Sequence, residues 1–406
     1  MGTIHCISVI PNAVKIPHSR RLRGIHLYPI FAGEPNWIQC ERSIIPEEAN
    51  GSIPVRFSFI VPQAMTQENT PTIFAAEKRA HWRALEPEIW SIQGADLDAV
   101  PTQSILTTLW DQPRWLEAYH LYDQRGSELF EQICGLPEYY LTRTENAILE
   151  THARDIIARA PVRCIVELGA GYSKKTLHLL TEQLRQRGSS IFAPIDVSAA
   201  GLRASRAAVR SAFPEIQFHG LHARYEEGFS AIDKNLPTLF VFLGSTIGNF
   251  NHSDFPRFFR TLSAAMGPGD FLLLGADRVK DVKVLEDAYN DSRGVTAEFI
   301  LNVFDHINRL LHGNFARDNM RYDSRYNPEW QRIEMYAVAR ARQDIRFADI
   351  DAAFQWQKDE KILVEISRKF DPLRLQEQLR FFDLGAVEHF TDPREWFYVL
   401  LFKKES

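Results

Sequence analysis

Cysteine is scarce in this chain: Cys6, Cys40, Cys134 and Cys164 are the four in 406 residues, and no CxxC spacing occurs. This argues against a disulfide framework or a thiolate zinc site, and the thiols read as reduced in a cytoplasmic protein. Long apolar runs are missing as well, none approaching the roughly 18 residues of a membrane span. The N-terminus has no signal-peptide apolar core, and Cys6 stands where a myristoylation pattern needs Ser or Thr. There is no long basic block, and a net charge of −5 leaves no electrostatic footprint for nucleic acid. The Gly-x-Ser-x-Gly elbow of many hydrolases is absent. His219 and His222 lack a third candidate ligand nearby, so no metal centre is expected.

What is present is ordinary in bulk and informative in detail. A hydrophobic content of 45% with 24% charged residues suits a globular protein, and 406 residues suffice for two or three cores. The run from Cys164 to Lys175 ends an apolar strand in Glu167 and opens into Gly169-Ala-Gly171. A second apolar run, Ile191–Ile195, closes on Asp196. A strand, a glycine turn, a helix and a second strand ending in an acid make a nucleotide-binding βαβ unit. Gly169 and Gly171 let the backbone approach a ligand where a Cβ would clash. Asp196, about 25 residues on, suits both hydroxyls of a ribose.

Two features disfavour a pyrophosphate. Lys174 takes the place of the third glycine of the dinucleotide fingerprint. Glu167 would repel phosphates but suits a ligand that carries an amine and a sulfonium. An amino-acid tail on adenosine describes S-adenosylmethionine. A βαβ unit without a ligand, or a nicotinamide-dependent oxidoreductase, remains the plainer alternative at this point.

Texture divides the chain. Residues 1 to about 70 suggest short strands at Ile25–Phe31, Trp37–Cys40 and Val55–Val61, with Gln67–Pro71 as a linker. A helix is expected around Ala75–Ile92, and Thr142-Arg-Thr-Glu145 reads as a capping box opening another. From Val162 strands and helices alternate, the sign of a parallel sheet. Strands are expected at Arg163–Leu168, Ile191–Ile195, Ile216–His219, Thr238–Leu243 and Asp270–Gly275. A helix Ser173–Arg187 is expected to be capped by Ser173 and closed by Gly188. After about Lys280 the rhythm changes: a helix Thr296–His312 ending at Gly313, then strands Gln331–Ala339 and Lys361–Lys369. A helix near Pro372–Phe382 and a strand Trp396–Phe402 resume the first texture.

From about Tyr122 to the C-terminus, the chain resembles the histidine Nα-methyltransferases of ergothioneine biosynthesis, relatives of the fungal dimethylallyltryptophan N-methyltransferases. The resemblance is carried by Tyr122–Phe130, Leu136–Tyr140 with Thr142–Glu145, Val166–Gly171 and Phe242–Asn249. It continues through Gly275–Asp281, Ala288-Tyr289 with Gly294–Thr296, Ile333–Met335 and Glu365–Ser367. It implies an α/β fold: a class I, Rossmann-like S-adenosylmethionine-dependent methyltransferase sheet with a second α+β substrate domain. The β-rich N-terminal extension, residues 1–74, has no counterpart in the family pattern. The expected division assigns 75–143 and 280–369 to the substrate domain, and 144–279 and 370–406 to the methyltransferase domain.

By this resemblance the cofactor contacts are Glu167, Gly169, Gly171, Lys175, Asp196, Arg224 and Tyr225. Lys175 would reach the methionine carboxylate, although a solvated helix lysine is the plainer reading. Arg224 stands where the family often has an acid that accepts from the adenine amine, and an arginine cannot accept. The substrate contacts are Tyr139, Gly244, Asn249 and Tyr289 at the α-amino-acid end, and Met335, Glu365 and Ser367 around the ring. Asn249 and Tyr122 are the expected catalytic residues, holding the amine toward the methyl group. On a strand, Glu365 and Ser367 share a face, and the pair suits an imidazole where a tryptophan reader needs apolar lining. L-Histidine is the favoured substrate, hercynine the expected product and S-adenosylhomocysteine the by-product. No nucleic-acid or membrane partner is expected.

Overall fold

Strands that are largely apolar can be buried along their whole length only if helices cover both faces of the sheet. Cys164–Leu168, Thr238–Phe242 and Phe271–Asp277 are such strands, buried along their whole length. The computed structural model describes residues 20–22, 25–29, 37–41, 56–58, 73–93, 102–171, 173–350 and 352–405. The chain divides into two units, Met1–Thr70 and Pro71–Ser406.

The first unit contains a four-stranded antiparallel sheet of Arg20–Leu22, Ile25–Pro29, Trp37–Glu41 and Arg56–Ser58, paired in chain order. The expected linker Gln67–Pro71 lies outside the described residues.

The second unit is built on a mixed sheet. Its strands run Leu384–Thr391, Phe397–Lys404, Phe271–Asp277, Thr238–Phe242, Cys164–Leu168, Ile191–Asp196, Gly220–His222, Ile89–Ile92 and Trp82–Glu86, with Gln217–Phe218 beside Ile191–Asp196. The middle pairings are parallel, and Phe397–Lys404 enters antiparallel to Phe271–Asp277. The order reverses direction at Cys164–Leu168, so its carboxyl end is the switch point where open α/β sheets bind ligands. Ile165, Leu239 and Leu273 pack on one face with Ile156, Leu179 and Leu180 of helices Tyr140–Arg159 and Thr176–Arg187. Val166, Phe240 and Leu272 pack on the other with Phe258, Phe259, Leu375 and Leu379 of helices Asp254–Ala265 and Pro372–Arg380.

A second layer covers the switch point. A three-stranded antiparallel sheet, Met320–Asn327, Arg332–Ala339 and Lys361–Arg368, packs with helix Val295–Leu311, which in turn packs on helix Gln124–Cys134. Met335 pairs with Glu365 and Ile333 with Ser367, and a register shift follows Met335. The remaining pair of strands is Gln343–Phe347 and Ala352–Trp356.

Four local expectations are corrected. The helix expected over Ala75–Ile92 is a hairpin, Trp82–Glu86 with Ile89–Ile92, because Pro87 and the positive φ of Glu88 (63°) turn the chain. It pairs in parallel with Gly220–His222, so this part of 75–143 extends the central sheet. The Thr142 capping box does not form, because the helix already begins at Tyr140 and Glu145 is fully buried. Ser173 is not a cap either: its φ is 48°, and the helix starts at Thr176 with Lys175 as its N-cap residue. At the end of helix Val295–Leu311, His312 takes the left-handed position expected of Gly313.

Candidate active site

At the carboxyl end of Cys164–Leu168 the chain turns through Gly169 (φ 74°) and Gly171 (φ 46°), conformations that side chains resist. A Cβ on Gly169 would lie 2.7 Å from the Tyr225 hydroxyl oxygen, while one on Gly171 would meet nothing within 4 Å. Tyr225 thus lies over one side of the turn and open space over the other, as a ligand cradle requires. Glu167 braces the turn from inside, accepting from the hydroxyls of Ser173 (2.6 Å) and Thr176. Burial raises its pKa to about 7 against the pull of those two hydroxyls. Asp196 Oδ2 accepts from the Gly171 amide at 3.2 Å and Oδ1 from the Ser198 amide at 2.8 Å. Burial holds its pKa above the usual carboxylate range.

Lys175 sits at the mouth of this turn and gives its ammonium to Glu145. Glu145 in turn accepts from the Gly244 amide, at 2.8 Å on one oxygen and 2.9 Å on the other. A Cβ on Gly275 would come within 2.0 Å of Glu145 Oε1, so that glycine makes room for the carboxylate. Glu145 was legible only as a cap signal. In three dimensions it joins the lysine of the glycine-turn helix to the loop after Thr238–Phe242. Arg224 is exposed, with its backbone amide on Glu227 Oε2 at 3.1 Å.

On the opposite side, Tyr122, Tyr139, Gly244, Asn249, Tyr289, Met335, Glu365 and Ser367 line one cleft. The eight come from the 3-10 turn Thr246–Asn249, two antiparallel strands and four loops, and they converge although 245 positions separate Tyr122 from Ser367. Gly248 permits the convergence: a Cβ there would lie 2.9 Å from the Arg368 carbonyl, so the 3-10 turn packs flat on the strand. Arg143 holds the loop bearing Tyr139 by donating to the carbonyls of Pro137 (2.7 Å) and Tyr139 (3.1 Å). Tyr122 meets Phe130 and Phe299 edge-on at 5.7 and 5.6 Å between centroids. Both phenylalanines also line the cleft, together with Ile133, Ser245, Thr246 and Thr296. The sequence placed Phe299 only within the expected helix Thr296–His312.

Glu365 is 9% exposed and accepts from Asn249 Nδ2 at 3.0 Å. Burial pushes its pKa up to about 8, opposed by the Lys369 cation and by the Asn249 hydrogen bond. Beneath it lies a buried ionic cluster. Asp277 accepts from Tyr140 (2.9 and 2.8 Å), from Lys280 and from Lys369 (2.9 Å). Of the two histidines set aside above, His222 bonds the Val197 carbonyl through Nε2 at 2.9 Å. Among the described residues no cluster of His, Cys, Asp and Glu is arranged to hold a metal.

Chemically, the glycine turn offers open space over Gly171 with a lysine at its mouth, joined through Glu145 to the Gly244 loop of the cleft. The cleft itself presents a carboxylate, an amide and hydroxyls within aromatic walls. No described helix is long and apolar enough to cross a membrane.

Residues 101–404 match the family described as histidine-specific methyltransferase, SAM-dependent. The chain is similar to the histidine N-alpha-methyltransferase of Mycolicibacterium smegmatis, 40% identical over 281 residues that cover 69% of this chain and 86% of that protein. To the histidine N-alpha-methyltransferase of Mycobacterium tuberculosis it is 38% identical over 291 residues, 71% of this chain and 90% of that protein. Among solved structures, a glycopeptide N-methyltransferase complexed with S-adenosyl-L-homocysteine matches with a TM-score of 0.34 and 13% identity, over 63% of this chain and 86% of the other.

Proposed function

The chain belongs to the histidine-specific, S-adenosylmethionine-dependent methyltransferase family, and from that premise we propose that it methylates the α-amino nitrogen of L-histidine, through to the trimethylated betaine hercynine. The observation that carries this reading is the meeting of Glu365, Ser367, Asn249 and three tyrosines in one cleft beside Gly244.

The cofactor cradle fits its expected occupant. Open space over Gly171, the nearby Asp196 carboxylate and the Lys175 ammonium suit an adenosine with an amino-acid tail. Bound there, S-adenosylmethionine supplies a sulfonium-activated methyl and is left as S-adenosylhomocysteine. We assign Gly169, Gly171, Lys175, Asp196 and Tyr225 to hold it, with Glu167 bracing the turn and the Arg224 backbone at the adenine edge.

The remaining work is orientation, because the electrophile is already activated by its charge. Asn249 commits an N–H to Glu365, which leaves its Oδ1 to accept from the substrate amine. Tyr139 and Tyr289 donate to the α-carboxylate without adding charge. Glu365 and Ser367 take the two ring nitrogens, while Met335, Tyr122 and the phenylalanines enclose the ring and exclude water. The nucleophile is the unprotonated amine, so no strong base is required in the cleft. The expected substrate domain, 75–143 and 280–369, then reads the substrate together with the loop that carries Gly244 and Asn249.

Mass spectrometry of products from L-histidine and S-adenosylmethionine tests this directly. Mono-, di- and trimethylhistidine in succession are expected. Turnover of a tryptophan derivative in place of histidine would overturn the substrate assignment, and no methylated product from any amino acid would overturn the activity.

A further inference from the structure

Lys369 directly follows the strand that carries Glu365 and Ser367, yet no role in the reaction described above depends on it. Its ammonium is buried completely and has three partners: Asp277 Oδ2 at 2.9 Å, Tyr289 Oη at 2.8 Å and Ser367 Oγ at 2.9 Å. An ammonium has three N–H donors, so every one is committed. Asp277 is itself fixed by Tyr140 and Lys280, so the cation cannot follow a ligand. Tyr289 Oη and Ser367 Oγ are also 2.8 Å from each other, and both line the cleft.

These distances fix the direction of the hydrogen bonds. Each hydroxyl oxygen must accept from Lys369. Between the two hydroxyls, one donates to the other. Exactly one O–H hydrogen of the pair therefore remains for the cleft. The α-carboxylate of an amino acid is the charged acceptor, and a charged acceptor takes the stronger bond. Ser367 then donates to Tyr289, Tyr289 donates to the carboxylate, and Ser367 turns its remaining lone pair toward a ring N–H.

We propose that Lys369, anchored on Asp277, is a positioning residue that sets the polarity of Tyr289 and Ser367 and so orients the amino-acid substrate. This rests on the functional reading above and deepens it. The groups facing this end of the cleft are Glu365, Tyr122, Tyr139, Tyr289 and Tyr322, with Lys280, Asp277 and Tyr140 behind Lys369. Within that set Lys369 is also the cation that favours ionised Glu365.

The test compares wild type with Lys369→Met by steady-state kinetics and by calorimetric titration with S-adenosylhomocysteine. The expected result is a rise of about 30-fold in the KM for histidine, with S-adenosylhomocysteine affinity within twofold of wild type. The acid limb of kcat/KM should move to higher pH, because Glu365 loses its cation. In a Tyr289→Phe background the same substitution should raise KM less than threefold further, since the hydroxyl it directs is gone. An unchanged KM, an equal loss of S-adenosylhomocysteine affinity, an unmoved acid limb, or fully additive effects in the two backgrounds would each overturn the proposal. Should Lys369→Met fail to fold because Asp277 loses a partner, Lys369→Met/Asp277→Asn removes both charges and is held to the same KM and affinity criteria. Wild type that binds S-adenosylhomocysteine but methylates no histidine is a failure of the functional reading, visible before any variant is made.

Discussion

The glycine-turn wall and the amino-acid wall of the proposed site are assembled in opposite ways. On the glycine-turn wall, polar groups are satisfied by neighbours close in sequence: Glu167 by Ser173 and Thr176, 6 and 9 positions away, and Asp196 by Gly171, 25 positions away. On the amino-acid wall the partners are distant: Glu365 and Asn249 are separated by 116 positions, Lys369 and Tyr289 by 80. A wall closed by local contacts is a self-contained unit that many substrates can share. A wall made of distant segments exists only when the second layer is docked, and there specificity can vary without disturbing the cofactor site. Glu145 bonds across both, holding Lys175 on one side and the Gly244 amide on the other.

The sharpest way to break this division is at Glu365. Glu365→Ala should lower kcat/KM for histidine by about 100-fold, as loss of a buried charge-assisted hydrogen bond of about 1.5–3 kcal/mol implies. S-Adenosylhomocysteine binding, followed by calorimetry, should change less than twofold. Comparable losses on both ligands would show that the walls are not independent.

The mirror experiment is Gly169→Ala. The φ of 74° and the Tyr225 hydroxyl 2.7 Å from the new Cβ predict about 30-fold weaker S-adenosylhomocysteine binding, from a strain of roughly 2 kcal/mol. Histidine KM, read at saturating cofactor, should stay within threefold.

Glu145→Gln probes the tie between the walls. One oxygen becomes a donor facing an ammonium and an amide donor, so about a tenfold loss should appear in both cofactor affinity and histidine KM. A loss confined to one ligand would remove Glu145 from its bridging role.

The smallest effect is one of pH. The Glu365 carboxyl is raised from 4.5 to about 8 by burial, so between those values the folded ligand-free protein binds a proton that the unfolded chain does not. Stability from this group is full below about pH 4.5 and is lost as pH rises through 8. Glu365→Gln should therefore melt higher than wild type above pH 8, and the gap in Tm should close toward pH 5. A gap of the opposite sign, or one independent of pH, would contradict the buried state of this carboxyl.

Much of the glycine-turn wall was legible in residue order, since Gly169, Gly171 and Asp196 lie within one βαβ unit whose periodicity marks its strands. The substrate side chains were legible through family resemblance alone: nothing in the alternation of Lys361–Arg368 says that Glu365 meets Asn249. Glu145 illustrates the failure mode. Thr-x-x-Glu is a cap signal by local rules, but burial against Gly275 and Gly244 gave the carboxylate another task. The hairpin Trp82–Ile92 was missed because an isolated pair of strands has no stability of its own; its stability comes from pairing with Gly220–His222, far along the chain.

Sequence by itself determined the parallel sheet, its glycine turn and the acid that follows, because periodicity and glycine placement act over neighbouring residues. Tertiary structure alone decided which way Lys175 and Lys369 give their hydrogens, and that burial pushes the Glu365 carboxyl well above the usual carboxylate range. Burial and hydrogen-bond direction depend on what else fills the space around an atom, and here that space is filled by segments a hundred residues apart.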